Sequence, residues 1–300
     1  MNAPALADGI ARYVELFRAQ PPASDLETMR LQGDLTAARF AVDFATEIDR
    51  FDTYIGAPGR EIAVRVYDPG GDRLRPGICY FHGGGFSMGS VESFDIVGAA
   101  LAEATGAVVA SVHYRRLPEV DYPAAQDDCD HAFAWMQRQA EALGVDPKRI
   151  AVAGDSAGAL LALATAAQAH PVCQLLFYGT FAMDPARPDY AASRDPLLSG
   201  ERVRAYIDLF TRCGGHSAPI ERDDLAGLPP THIVAAEFDP LCGEAVEFAD
   251  RLRAAGVPVS LQRAPGMIHG FLRAVGVSAP ARAELAHAAE VVRPFLEGTR

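Results

Sequence analysis

Apolar residues in the first fifty positions recur at helical spacing. Leu6, Ile10, Tyr13, Val14 and Phe17 form one stripe, and Leu26, Met29, Phe40 and Phe44 suggest a second, so residues 1–50 read as helical. From about residue 60 the texture changes to short β-rich runs: EIAVRVYDP, GICYFH, AVVASVHY, RIAVAG, QLLFYG, THIVAAE and VSLQRAP. Helical patterns at 92–104, 124–143, 156–170, 200–213, 241–255 and 281–297 lie between or after them. Little but turn residues separates the first two runs, which predicts a hairpin. Thereafter strand and helix alternate, which predicts an α/β fold with a mostly parallel sheet covered on both faces. The stretch 180–225 is polar, irregular and partly helical, as suits an excursion over the sheet. The chain is therefore divided into an N-terminal helical segment, 1–50, and an α/β domain, 51–300, carrying an insertion at about 180–225.

One apolar stretch could be mistaken for a membrane span, since no Asp, Glu, Lys or Arg occurs from Ser156 to Met183. Pro171 breaks it, and the piece before is shorter than the roughly 20 residues a span needs. A buried helix followed by a buried strand is expected instead. The first twenty residues lack a basic start and an unbroken apolar core, so no signal peptide is expected.

Composition narrows the partners. The 300 residues carry 27 Lys and Arg against 39 Asp and Glu, a formal net charge of −12. Nucleic-acid and anionic-membrane binders need basic surfaces, so neither partner is expected. With 49% hydrophobic and 22% charged residues the chain has ordinary globular composition. Cys79, Cys129, Cys173, Cys213 and Cys242 are scattered and form no CxxC pair. They suit neither a zinc site nor a disulfide scaffold, and are expected as mostly buried thiols in a reducing, cytoplasmic setting.

Chemistry concentrates in four loops. Gly154-Asp155-Ser156-Ala157-Gly158 follows the apolar run Ile150–Ala153 and opens a helical pattern. A serine on a sharp strand-to-helix turn projects its hydroxyl clear of the sheet, and the crossing is close enough that Gly154 and Gly158 must be small. A phosphate-cradling turn is the alternative, but Asp155 would repel an anion and no GK[ST] or G-x-G-x-x-G pattern is present. His82-Gly83-Gly84-Gly85-Phe86 follows the run Ile78–Phe81. Three glycines in succession cost backbone entropy, and a bare backbone can aim N–H groups at a developing oxyanion together with the N–H of Ala157. Which of Gly83, Gly84 and Gly85 donate is open, with Gly84 the first choice.

An activated serine needs a base and the base an orienting acid. Among eight histidines, His269 alone sits in a glycine-flanked loop after a strand-like run, Pro265–Phe271. In a parallel sheet such loops gather beside the serine loop. Asp239, in Phe238-Asp239-Pro240, closes another run, with Glu237 as its competitor. Asp127, Asp128 and Asp130 are expected as helix-capping or solvated charges. The order Ser156, Asp239, His269 is that of α/β-hydrolases.

With HGGGF, GDSAG, Asp-Pro-Leu at 239–241 and His-Gly-Phe at 269–271 in order, the chain from about residue 55 onward resembles the hormone-sensitive-lipase-like bacterial esterases of the α/β-hydrolase superfamily. The resemblance implies an α/β-hydrolase fold and a serine carboxylesterase acting on short- to medium-chain esters. It assigns the triad to Ser156, Asp239 and His269, and the oxyanion glycines to Gly83–Gly85. It also implies that residues 1–50 and 180–225 form a cap, implies no metal or organic cofactor, and permits a homodimer. An amidase or lipase would use the same machinery, and a binding-only protein on this fold is a further alternative. Four departures bear on cap and substrate. Tyr114-Arg115-Arg116-Leu117-Pro118-Glu119 replaces the family's Tyr-Arg-Leu-Ala-Pro-Glu, with an Arg115–Glu119 pairing expected. Ala159-Leu160 stands where Gly-Asn is common. Gly243 stands where an acid is frequent, and the interval from Ser156 to Asp239 is short, as for a reduced cap.

Overall fold

The computed structural model describes residues 5–40, 47–71, 74–216 and 218–299. Phe44, placed by sequence in the second apolar stripe, lies outside them. Two helices, α1 (Ile10–Arg18) and α2 (Leu26–Ala37), come first. The Asp25 carboxylate caps α2 by accepting the Thr28 N–H at 2.8 Å.

Strands β1 (Asp49–Ala57), β2 (Arg60–Asp68), β3 (Arg75–Phe81), β4 (Val108–His113), β5 (Val145–Asp155), β6 (Gln174–Phe177), β7 (Thr231–Ala236) and β8 (Val259–Ala264) form one sheet. Its order is β1-β2-β4-β3-β5-β6-β7-β8. The β1–β2 and β2–β4 pairs are antiparallel, and the others are parallel.

The predicted hairpin between the first two β-rich runs does not form. β2 pairs with β1 and β4, while β3 lies between β4 and β5 with both edges taken. Ile78, Cys79, Tyr80 and Phe81 are fully buried, which marks β3 as a central strand rather than one arm of an edge ribbon. The hairpin that exists is β1–β2, closed by Pro58-Gly59 with Gly59 at φ 72°. β1 has no helical or alternating signature because it is an edge strand, with Ile55 its one buried side chain.

Apolar side chains fill both faces. On one, Cys79, Phe81, Ile150 and Val152 pack against α4 (Tyr122–Arg138), α5 (Ala157–Ala169) and α8 (Cys242–Ala254). On the other, Ile78, Tyr80, Ala151 and Ala153 pack against α1, α3 (Asp95–Thr105) and α9 (Ala279–Leu296). Neighbouring residues of each strand thus enter opposite cores, as the pleat requires. The uncharged stretch after Ser156 is a buried helix and then a buried strand, α5 and β6. Among the described residues no helix is long and apolar enough to cross a membrane.

The segment between β6 and β7 holds a single-turn helix, α6 (Pro188–Ala191), and α7 (Gly200–Arg212). Glu244 of α8 ties this segment down. Its buried carboxylate accepts the N–H groups of Phe181 and Ala182 and the Tyr190 hydroxyl. Burial pushes Glu244 up to about 7, against the pull of those donors. A Cβ at Gly243 would meet the Asp189 carboxylate at 2.4 Å, so any larger residue there would have to displace the Asp189 side chain.

Arg115 and Glu119 do not pair. Arg115 donates to Asp128 at 2.9 Å, and Glu119 accepts from Arg30 of α2. Asp128, expected as a capping or solvated charge, is instead buried between Arg60 and Arg115. Asp130 accepts from Gln126 and Thr165, and the cap of α4 is Asp121. A helical carboxylate facing the body finds partners only through the tertiary fold. All five cysteines are free thiols, with Cys79, Cys129 and Cys173 buried.

Candidate active site

Parallel pairing brings the carboxyl ends of the strands to one edge. Phe81 lies opposite Gly154, Asp155 opposite Phe177, and Ala236 opposite Ala264. The loops after β3, β5, β7 and β8 therefore meet.

Ser156 joins β5 to α5 at φ 53° and ψ −121°, outside the comfortable range of a side-chain-bearing residue. Its N–H donates to Phe177 O at 2.9 Å, which helps hold the turn. The flanking glycines are required by space: a Cβ on Gly154 would lie 2.1 Å from Gly158 O, and one on Gly158 2.0 Å from Phe81 O.

The Ser156 Oγ lies 2.8 Å from His269 Nε2, and His269 Nδ1 lies 2.7 Å from Asp239 Oδ2. A carboxylate only accepts, so Nδ1 carries the imidazole proton and Nε2 accepts from the serine hydroxyl. Asp239 Oδ1 accepts the Leu241 N–H at 2.8 Å, which fixes the carboxylate plane. Glu237, the competing acid, turns away to accept the Gly266 N–H at 2.7 Å. Burial alone would push His269 down; the facing Asp239 carboxylate, with Asp195 and Asp155 behind it, outweighs burial and raises it above the usual histidine value.

The glycine loop is held from both sides. His82 is buried between the rings of Tyr114 and Phe94, 4.4 and 5.4 Å between centroids. Burial pushes it down to about 3, so it stays a neutral packing group. By sequence Asp155 is only a poor neighbour for an anion. It is in fact the loop's anchor: its buried Oδ1 accepts the Tyr80 hydroxyl at 2.6 Å and the Gly83 N–H at 2.8 Å. Of the glycines named from sequence, Gly83 thereby has its N–H engaged by a side chain. Gly84 and Gly85 have φ of 123° and 57°, and a Cβ on Gly85 would strike the Tyr206 ring at 2.3 Å.

A further carboxylate, without a strand-end signal of its own in the α/β pattern, holds the His269 loop. Asp195, in the segment between β6 and β7, accepts the His269 backbone N–H at 2.6 Å through Oδ2 and the Leu197 N–H at 2.8 Å through Oδ1. Burial, then the nearby Asp239 charge, raises its carboxyl above the usual value. The available signal was a repeat: Asp195-Pro196-Leu197 duplicates Asp239-Pro240-Leu241, and in both the aspartate accepts an N–H two residues on.

Ser156 and His269 sit at the junction of two cavities. One, of about 300 Å³, is walled by Tyr13, Phe17 and Arg30 from the N-terminal helices, Leu197 and Tyr206 from the later segment, and Arg273 beyond His269. The other, of about 30 Å³, is apolar, with Met183, Leu198, Val203, Ile207 and Leu241 around it. The chain can thus hold a two-part substrate across an activated hydroxyl.

The chain is similar to known proteins. A family model described as alpha/beta hydrolase fold matches residues 78–273. The carboxylesterase NlhH of Mycobacterium tuberculosis is 40% identical over 242 residues, 75% of each chain. The ethyl acetate hydrolase of Pseudomonas putida is 33% identical over 231 residues, 72% of this chain and 73% of that one. Among solved structures, the hyperthermophilic esterase of Pyrobaculum calidifontis superposes with a TM-score of 0.87 at 30% identity, covering 97% of this chain and 99% of that chain.

Proposed function

The chain belongs to the α/β-hydrolase fold family, in its hormone-sensitive-lipase-like branch, and is a carboxylic ester hydrolase; from that premise we propose a serine esterase of short- to medium-chain acyl esters, with Ser156 as nucleophile, His269 as base and Asp239 as its orienting acid. The observation that carries this is the unbroken line from Ser156 Oγ through His269 to Asp239, at 2.8 and 2.7 Å, on the floor of a cavity.

Ser156 attacks the ester carbonyl carbon while His269 Nε2 takes its proton. The imidazolium formed is stabilised by Asp239. The carbonyl oxygen becomes an oxyanion held by the N–H groups of Gly84, Gly85 and Ala157, Gly83 being engaged by Asp155. The C–O bond to the alcohol then breaks as His269 returns the proton to the departing alkoxide. Water, deprotonated by His269, attacks the acyl-enzyme, and collapse of the second oxyanion releases the acid and restores Ser156.

Residues 1–50 and 180–225 act as a cap. In support, α1, α2 and α7 supply the cavity wall facing Ser156, and Arg18 of α1 donates to Pro196 O at 2.7 Å, linking the two pieces. Free thiols support a reducing compartment, the cytoplasm.

Two tests follow from the site. With p-nitrophenyl esters from acetyl to palmitoyl, kcat/KM is expected to peak between acetyl and hexanoyl, given the small apolar cavity. A palmitoyl peak would make the protein a lipase instead, and no turnover of any ester would turn the assignment to amide cleavage or binding alone. The kcat/KM profile is expected to rise with pH through an apparent pKa above the ordinary histidine value of about 6.5, because protonated His269 cannot accept the serine proton and Asp239 raises its pKa. A profile flat from about pH 5 to 8 would remove His269 as the base.

A further inference from the structure

Arg273 lines the larger cavity together with Ser156 and His269, four residues beyond the proposed base. Only 8% of it is exposed, and among the described residues neither its Nε nor its Nη2 has a hydrogen-bond partner. Its guanidinium lies 5.2 Å from the ring centroid of Phe94, 5.5 Å from Phe40 and 5.6 Å from Phe17. Ring faces attract a cation but accept none of its in-plane hydrogen bonds. An arginine cannot shed its proton to escape burial, so a guanidinium in such a place calls for an anion.

Among the described residues no carboxylate accepts a hydrogen bond from Arg273 Nε or Nη2. Asp155, the acidic residue among those lining this cavity, is committed to Tyr80 and Gly83. The other two arginines of the wall differ from Arg273. Arg30 is paired with Glu119, and Arg202 donates to Leu197 O and the Tyr206 hydroxyl. Of the three arginines in the wall beside the reactive serine, Arg273 is thus the one whose Nε and Nη2 lack a hydrogen-bond partner among the described residues.

We infer that the preferred substrates are esters carrying a carboxylate on the part that enters the larger cavity, where Arg273 binds it, while a small apolar part fills the other cavity. This rests on the esterase reading above and specifies its substrate class. The carboxylate has two possible positions, on the acyl chain as in a half-ester of a dicarboxylic acid, or on the alcohol as in an acylated hydroxy acid.

Two matched pairs separate these sources: methyl hydrogen glutarate against methyl pentanoate, and 4-acetoxybutanoate against butyl acetate, each followed by titration of released acid. The ratio of kcat/KM, charged over neutral, is expected to exceed one by about tenfold on one pair, which locates the carboxylate. In Arg273→Met, which keeps side-chain length among the three rings, that ratio is expected to fall by about tenfold or more. A wild-type ratio at or below one on both pairs overturns the inference, as does a ratio unchanged by the substitution. Should the variant not fold, competitive inhibition of the wild type decides: pentanoate is expected to bind about tenfold more tightly than pentanol, and equal inhibition overturns the assignment. Hydrolysis of neutral and charged esters without discrimination sinks the role of Arg273 alone, whereas hydrolysis of neither overturns the esterase reading with it.

Discussion

Ser156→Ala is expected to lower kcat on p-nitrophenyl acetate by about 10⁵-fold or more, the scale on which losing a triad nucleophile acts in other serine hydrolases. The loss falls on chemistry and not on the fold. The Oγ makes its hydrogen bond to His269, whereas the turn is held by the Ser156 N–H to Phe177 O and by the close crossing at Gly154 and Gly158, all of which alanine retains. Alanine also meets the strained backbone at φ 53° on nearly the same terms as serine. The thermal midpoint should therefore stay close to that of the wild type while turnover collapses. A folded variant with kcat within about tenfold of wild type would dismiss Ser156 as nucleophile.

Asp239→Asn has a comparable expected effect by a different route, a loss of about 10⁴-fold in kcat. The amide oxygen can still accept the Leu241 N–H, so the loop keeps its shape. Its NH₂ then faces His269 Nδ1 and must donate, which moves the imidazole proton to Nε2 and leaves nothing to accept the serine proton. The same change removes the charge that raises His269, so whatever activity survives should extend to lower pH than in the wild type. Measuring kcat/KM from about pH 5 to 9 in both proteins reads both effects at once. A variant that loses activity yet keeps the wild-type acid limb would mean that Asp239 does not set the His269 charge, and that another carboxylate such as Asp195 does.

The local pattern of this chain carries most of its architecture. The runs that became β2 to β8 and the helices between them were legible because burial on a pleated sheet or along a helical face leaves a period in the sequence. β1 was not legible, because an edge strand with one buried side chain leaves no period. The segment 41–46 lies outside the described residues, so the second stripe stands there only as far as Phe40.

The candidate site divides in the same way. The geometry brings together Ser156, Asp239 and His269, all of which stood out in sequence because sharp turns at strand ends need glycine or proline close by, and such punctuation is local. The partners of polar groups were not local. Asp155 takes the Gly83 N–H across 72 positions, Asp195 takes the His269 N–H across 74, and Arg115 turns to Asp128 instead of Glu119. Neighbouring residues alone mark where β2 to β8 and the turns after them fall along the chain, and which residue types stand at their ends, since both follow from local preference. Which carboxylate takes the Gly83 N–H and which arginines find partners among the described residues rests on the tertiary fold, since hydrogen bonds and ion pairs between distant segments are chosen by packing and leave no periodic trace in the chain.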